Sequence, residues 1–404
     1  MTSDSTALTP QRGVPTVPAA FTVDPTCAIA YGPGCLARLP ELVAATGRQR
    51  AFVITDPGLR AAGVADRVLK VLDRAGIEYG VFEGVAANPS TANVDEGAAV
   101  ARAFGEAAVV ALGGGSSLDA AKGISLLAGN PAARAADADA LWDAADGMPL
   151  IAIPTTSGTG AETNGFGVIE DTVARRKVYL GHPSVRPRAA LLDPELTLGL
   201  PPGATASTGI DALVHGVESL ASRGANAVSV AFATQAVSLV GRWLPVAYRD
   251  GADLQARSHL MLGAHLAGQA LTISGLGLVH GIGHALTAHT GTPHGIALAA
   301  VFEEVMAFSA VEAHAAYEQA ARALHVEPAA TTAGSGPRDW ATAAIGAVRE
   351  VSGAVEVKRP LTALGVTREM IPAIAAGALA DAVTGNAPRQ PSAADVADIL
   401  ESVL

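Results

Sequence analysis

A change of period halfway along the chain limits the fold more than any other feature. Up to about residue 200, short apolar runs alternate with helical stretches. The runs are Ala51–Thr55 (AFVIT), Tyr79–Phe82, Ala107–Leu112 (AAVVAL), Leu150–Pro154 (LIAIP) and Ala189–Leu192 (AALL). Strand-like runs separated by helices of this length predict βαβ units and a parallel sheet. At Leu198–Gly203 (LGLPPG) a Pro/Gly cluster intervenes, and Ala-rich segments of 3.6-residue period then continue to the end. The expected organisation is a tail at 1–20 rich in Thr, Ser and Pro, an α/β domain at 21–200 and an all-α domain at 201–404.

Composition narrows the partners. The 38 acidic residues outnumber the 27 basic ones, for a net charge of −11, which argues against nucleic acid and anionic membranes. The most apolar stretch, Val228–Val240, is interrupted by Ser, Thr and Gln and reads as a core helix, not a span. The first 20 residues lack the basic and apolar regions of an export signal. Cys27 and Cys35 are the two cysteines, which fits reduced thiols and a cytoplasmic location.

Two loops are candidates for a nucleotide. Gly113-Gly114-Gly115-Ser116-Ser117 follows a strand and opens a helix, where close backbone approach and free N–H groups suit a pyrophosphate. It is not a GxGxxG fingerprint, and a tight turn without ligand would look the same. Pro154–Gly160 (PTTSGTG) follows another strand and offers hydroxyls and glycines, although Ser157 and Thr159 would also serve as helix caps. Asp56 ends a strand, where an acid can accept from ribose hydroxyls and favour NAD over NADP; a plain N-cap is the alternative.

The histidines suggest a metal. Asp211 and His215 are four apart in a helical pattern, as are His280 and His284, and His294 follows in a Pro-His-Gly turn. One carboxylate with several imidazoles suits Fe(II) or Zn(II). Any single histidine would read as a hydrogen-bonded core residue; the two pairs together with the turn favour a metal. His182, His259, His265, His314 and His325 have no such company, and His289 is undecided.

Motifs in order along nearly the whole chain, from about Phe21 to the C-terminus, resemble the iron-containing (group III) alcohol dehydrogenases. They are YGPG at 31–34, ITDPGL at 54–59, NPS at 88–90, GGGSSLDAAKG at 113–123, PTTSGTGAET at 154–163, DPELT at 193–197, GIDALVHGVES at 209–219, and VHGIGH with PHG at 279–295. The resemblance implies a Rossmann-like N-terminal domain, a helical C-terminal domain in a dehydroquinate synthase-like architecture, and an active site between them. It matches Asp211, His215, His280 and His294 to the metal ligands. Gly114, Gly115, Ser116 and Asp119 match the dinucleotide loop, and Thr155, Thr156 and Thr159 the second loop. Asp56 matches an acid of NAD-preferring members, Lys177 a lysine that contacts the cofactor, and His284 a histidine beside nicotinamide and substrate.

The resemblance thus implies an NAD(P)-linked oxidoreductase interconverting a small primary alcohol and its aldehyde. Iron is expected as the metal, with zinc or another divalent ion open, and relatives are commonly homodimers or larger. The metal would act as a Lewis acid and His284 would carry a proton to solvent. The chain departs from relatives at Asn164-Gly165-Phe166-Gly167, in ALTISGLG at 270–277, where a common aromatic is absent, and at Asn386-Ala387-Pro388-Arg389, one residue longer than the usual NPR. These positions bear on substrate, which stays open among simple alcohols, lactaldehyde, a semialdehyde and phosphonoacetaldehyde. A glycerol dehydrogenase-like enzyme normally lacks the fourth ligand, here His294. A dehydroquinate synthase-like lyase would want basic groups near the metal, yet residues 203–300 hold no lysine and only Arg223, Arg242, Arg249 and Arg257.

Overall fold

The computed structural model describes residues 21–23, 27–173, 176–328 and 339–404; the expected tail at 1–20 lies outside the described residues. The strands are β1 (Ala28–Tyr31), β2 (Arg50–Ile54), β3 (Glu78–Phe82), β4 (Ala108–Gly113), β5 (Leu150–Pro154), β6 (Phe166–Asp171), β7 (Arg176–Gly181) and β8 (Ala189–Leu192). All but β6 and β7 form one parallel sheet in the order β1-β8-β5-β4-β2-β3. Every strand expected from the apolar runs is present, with ends displaced by at most a residue.

Between the strands run α1 (Leu39–Ala45), α2 (Pro57–Ala61), α3 (Val64–Arg74), α4 (Thr91–Phe104) and α5 (Gly115–Gly129). Both faces of the sheet are covered. Phe52 and Ile54 of β2 enter an apolar cluster with Val94, Leu118 and Ile124, while Ala51 and Val53 enter another with Leu39, Val68 and Leu72. Burial on both faces is why these strands read as continuous apolar runs.

Two elements escaped the period argument. β1 is a four-residue edge strand. The antiparallel β6–β7 hairpin pairs Val168 with Tyr179 and Glu170 with Lys177, and its charged residues hide the alternation. The alternative role of Ser157 and Thr159 as helix caps is not met; the short 3-10 turn Ala161–Thr163 is preceded by Gly160 in the left-handed region.

Beyond β8 the chain is helical: α6 (Pro202–Ala221), α7 (Ala227–Arg249), α8 (Leu254–Ser274), α9 (Leu278–Thr290), α10 (His294–Ser309), α11 (His314–Ala323), α12 (Trp340–Ala354), α13 (Ile371–Ala380) and α14 (Ala393–Ser402). One apolar cluster running from Ala206 to Leu400 forms their core. α7 is long and apolar enough to cross a membrane, but Ala233, Ala236, Val237, Val240 and Leu244 along one face are buried in that core. Both cysteines are free thiols.

The topology locates a crevice. From β2 the chain passes to β3 on one side, whereas from β4 it passes to β5 on the other, so the winding reverses between β2 and β4. Open α/β sheets bind ligands outside the carboxyl ends of the strands at such a point. Asp56 follows β2 there, and Gly113 closes β4.

Candidate active site

One end of the candidate site, where the nucleotide-loop candidates lie, is built from two neighbouring turns. Pairing of Gly113 with Pro154 and donation from the Thr155 N–H to the Gly113 carbonyl at 2.9 Å bring the loops after β4 and β5 together. A Cβ on Gly115 would lie 2.7 Å from Thr159 Cγ2, and one on Gly114 would lie 3.2 Å from Thr156 Cγ2. Glycine is therefore needed because the threonines of the second loop occupy the space. Gly115 and Ser116 open α5, whose N-terminal N–H groups suit a phosphate.

Asp56 accepts from Leu59 N at 3.0 Å as the N-cap of α2, and its other oxygen accepts from Ser117 Oγ at 3.1 Å. The capping role and the place beside the glycine turn are thus both real. Asp119 lines the cavity, but its carboxylate is used inside the protein: Lys122 Nζ lies at 3.3 Å and Val168 N donates at 3.0 Å. Fully buried Lys122 also donates to Asn164 Oδ1 at 2.8 Å and to the Phe166 carbonyl at 2.6 Å. Burial pushes the Lys122 amine down and the Asp119 carboxyl up from their ordinary values. Together they bolt the hairpin, and with it Lys177 and Tyr179, to α5.

The other end, where the candidate metal ligands lie, is built from side chains on three helices. Asp211 and His215 lie one turn apart on α6, His280 on α9, and His294 is the first residue of α10. Three imidazole nitrogens converge on one carboxylate oxygen: from Asp211 Oδ1, Nε2 of His215 is 3.2 Å away, that of His280 3.4 Å and that of His294 3.7 Å. Asp211 Oδ1 and His280 Nε2 are buried with no partner in hydrogen-bond geometry. Donors about 2.0–2.2 Å from a tetrahedral metal stand about 3.3–3.6 Å apart, so the spacing fits a divalent ion. Asp211, His215 and His280 form the tightest group, with ligand atoms within 4.8 Å of one another; His294 approaches from the cavity side.

The electrostatics agree. Burial pushes His215 down to about 4 and His294 down to about 3, leaving neutral imidazoles with free lone pairs at neutral pH. Burial opposes charge on Asp211, but His215, His280 and His294 outweigh it and hold the carboxyl well below its usual range. Burial likewise opposes a proton on His280, yet Asp211 and Glu218 bring it to about 9. A divalent cation would take the place of that proton.

Two carboxylates missed in the sequence set the histidines. Glu218, one turn beyond His215, accepts from His280 Nδ1 at 2.6 Å, Val279 N at 2.7 Å and Gly277 N at 3.1 Å. It thus caps α9 and turns His280 Nε2 toward Asp211; its spacing from Asp211 and His215 on one helix face was the available signal. Asp381, on the turn after α13, accepts from His284 Nδ1 at 2.7 Å, and Tyr179 donates to its other oxygen at 3.5 Å. His284 stacks on His294 with ring centroids 5.2 Å apart, so it stands beside the cluster but is held by a different carboxylate.

The other histidines fall elsewhere. His265 donates through Nδ1 to Glu162 at 2.9 Å, and its Nε2 lies 3.1 Å from the Gln269 amide, both buried. This strut ties the loop after β5 to α8. His289 meets the Ala285 carbonyl of its own helix. Both ends of the site open into one cavity of about 230 Å³ between the domains, lined by Gly115, Ser116 and Thr159 at one end and Asp211, His280 and His294 at the other.

Known proteins share this fold. The iron-containing alcohol dehydrogenase family model matches residues 25–194, and the C-terminal model of that family matches residues 205–404. The chain is 34% identical to lactaldehyde reductase of Escherichia coli K12 over 373 residues, covering 91% of this chain and 96% of that protein. It is 32% identical to the NAD-dependent methanol dehydrogenase of Bacillus methanolicus, covering 92% and 97%. The solved structure of a 1,3-propanediol oxidoreductase superposes with a TM-score of 0.87 at 31% identity, covering 94% of this chain and 98% of that one. With its parallel-sheet domain, its helical domain and a carboxylate–histidine cluster between them, the chain belongs to the iron-containing alcohol dehydrogenase family.

Proposed function

We propose that the protein is a metal-dependent, NAD-linked dehydrogenase that interconverts a small primary alcohol and its aldehyde. One observation carries this reading: three imidazoles converge on Asp211 Oδ1 in the same cavity that is entered by the N-terminus of α5. In this reading Asp211, His215, His280 and His294 hold the metal, with iron the expected ion. Gly114, Gly115, Ser116, Asp119, Thr155, Thr156, Thr159 and Lys177 surround NAD, and the division at residue 200/201 separates cofactor from metal. A divalent metal held there would supply Lewis acidity, and a nicotinamide cofactor held by the two turns would supply hydride-accepting chemistry.

The chain's own groups do the rest. The two turns and α5 orient the dinucleotide, and the domain walls keep water from the reacting carbon. With Nδ1 committed to Asp381, His284 has Nε2 available for the proton that leaves the alcohol. Asp56 sets cofactor choice, and Asp56→Ala should narrow the preference for NAD over NADP, read from kcat/KM with each.

The net charge of −11 and the free thiols support a cytoplasmic enzyme of small molecules, without nucleic acid or membrane as partner. The exposed Ile29 and Tyr31 on edge strand β1 support a homodimer or larger assembly. The decisive experiment strips the protein with a chelator and restores Fe(II), Zn(II), Ni(II) or Mn(II), assaying each with NAD and NADP against alcohols and aldehydes. Activity should vanish on stripping and return with metal. Full turnover by the stripped protein would overturn the reading.

A further inference from the structure

Asn164 joins the cavity wall between the 3-10 turn Ala161–Thr163 and β6, and it is only 5% exposed. Its Oδ1 accepts from Lys122 Nζ at 2.8 Å and from Phe166 N at 3.2 Å. A backbone N–H can only donate, so the side-chain atom it meets must be the oxygen. That fixes the orientation of the amide and leaves Nδ2 on the cavity side. Nδ2 has no hydrogen-bond partner among the described residues, and it is not sealed inside the protein. A nearly buried donor without a partner is costly, so this one stands ready for a ligand.

The surrounding elements say what that ligand is. Lys122, which holds Asn164, lies seven residues beyond Gly115, about 10 Å along α5 from the N–H groups suited to a phosphate. A ribose and a pyridine ring extended from that phosphate span this stretch on the way to the Asp211 cluster. Asp119 on the same wall has both oxygens taken, by Lys122 Nζ and Val168 N, while Phe166 and Val168 are apolar. Lys177 also lines the cavity, but a cation on a four-carbon stem suits a charged group. A carboxamide locked through its oxygen suits a neutral acceptor of fixed orientation.

We propose that Asn164 Nδ2 donates to the carboxamide oxygen of the nicotinamide ring and so fixes which face of the ring meets the alcohol. The inference rests on the dehydrogenase reading above, and it makes Asn164 a cofactor residue instead of a determinant of substrate. The ring can turn about its bond to ribose, and an anchor on its hydrogen-bonding substituent holds one orientation. Lys122 is then a positioning residue, acting on the cofactor through Asn164 Oδ1. The two bonds to Oδ1 also polarise the amide and strengthen Nδ2 as a donor.

The test titrates the metal-loaded protein by calorimetry with NAD and with ADP-ribose, which lacks the nicotinamide, in wild type, Asn164→Asp and Asn164→Ala. The Asp variant keeps an acceptor for Lys122 and Phe166 N but removes the donor. Both variants should bind NAD about tenfold more weakly, and ADP-ribose within a factor of about two of wild type. The acetylpyridine analogue of NAD, which keeps the carbonyl, should lose as much affinity as NAD. Lys122→Met should show the same split between NAD and ADP-ribose, and adding it to Asn164→Ala should cost nothing further. Equal NAD binding by wild type and both Asn164 variants would overturn the proposal. A parallel loss of ADP-ribose affinity would also overturn it, by assigning Asn164 a structural role. So would a raised KM for the alcohol with NAD binding unchanged, which gives the amide to the substrate. If wild type binds neither NAD nor ADP-ribose, the dehydrogenase reading itself falls, and the proposal with it.

Discussion

At the end of the cleft proposed for the cofactor, the surface is backbone; at the end proposed for the metal, it is side chain. The turns after β4 and β5 abut so closely that Thr159 fills the place where Gly115 would carry a Cβ, and α5 presents its N–H groups beyond them. Across the cavity, α6, α9 and α10 bury a carboxylate and three imidazoles whose separations are set by helices and by Glu218. A backbone site tolerates little added volume, whereas a side-chain site tolerates little change of charge or hydrogen bonding. The two ends should therefore fail separately and in different ways.

The largest effect should come from Asp211→Asn, which removes the negative charge of the carboxylate on which the three imidazoles converge. Metal content and turnover should both collapse, by more than the ~100-fold that loss of a supporting carboxylate costs. NAD binding, followed by cofactor fluorescence, should stay within a factor of two or so if the ends are separable. Loss of NAD affinity along with the metal would break the comparison.

Glu218→Gln comes next. It keeps the volume but weakens the hold on His280 and on the start of α9, so metal affinity should fall about 10–100-fold. Competition with a chelator measures this without relying on turnover. Unchanged affinity would mean that His280 is oriented by its helix alone.

Gly268→Ala probes the opposite end. A Cβ on Gly268 would lie 2.7 Å from Gly160 Cα, where the second loop rests on α8. The expected result is a loss of about 1–3 kcal/mol in stability. The KM for NAD should rise with metal content unchanged, read by denaturant unfolding, steady-state kinetics and metal analysis. A variant that loses metal but keeps its KM for NAD would invert the assignment.

The smallest effect concerns the Glu162–His265 strut. Burial pushes the Glu162 carboxyl up, but the hydrogen bond and charge of His265 outweigh that and hold it below its ordinary value of 4.5. A depressed acid adds stability that is fully present above its unfolded value and lost as pH falls through the folded one. Tm should therefore drop as pH falls below about 4.5, and less steeply in His265→Gln. Parallel Tm profiles for the two proteins would remove the strut from the account.

Much of this was legible in order along the chain, because local geometry writes a period. Strands buried on both faces leave apolar runs, and the i,i+4 pairs Asp211/His215 and His280/His284 mark helix faces. The β6–β7 hairpin was not legible. Charged residues break its alternation, and it is held from α5 by Lys122 and Asp119. Asp381 and Glu162 were hidden for a related reason: they meet His284 and His265 across 97 and 103 residues, and no spacing rule reaches that far.

His280 and His284 show where the division falls. By itself the sequence determined that two imidazoles share one face of a helix, since four residues make slightly more than a turn. Which carboxylate each would meet was decided by tertiary packing. Glu218 pins the start of α9 so that His280 reaches Asp211 at 3.4 Å, while the turn after α13 delivers Asp381 to His284 at 2.7 Å. Identical side chains one turn apart thereby acquire different partners, because a partner depends on where distant segments return in space.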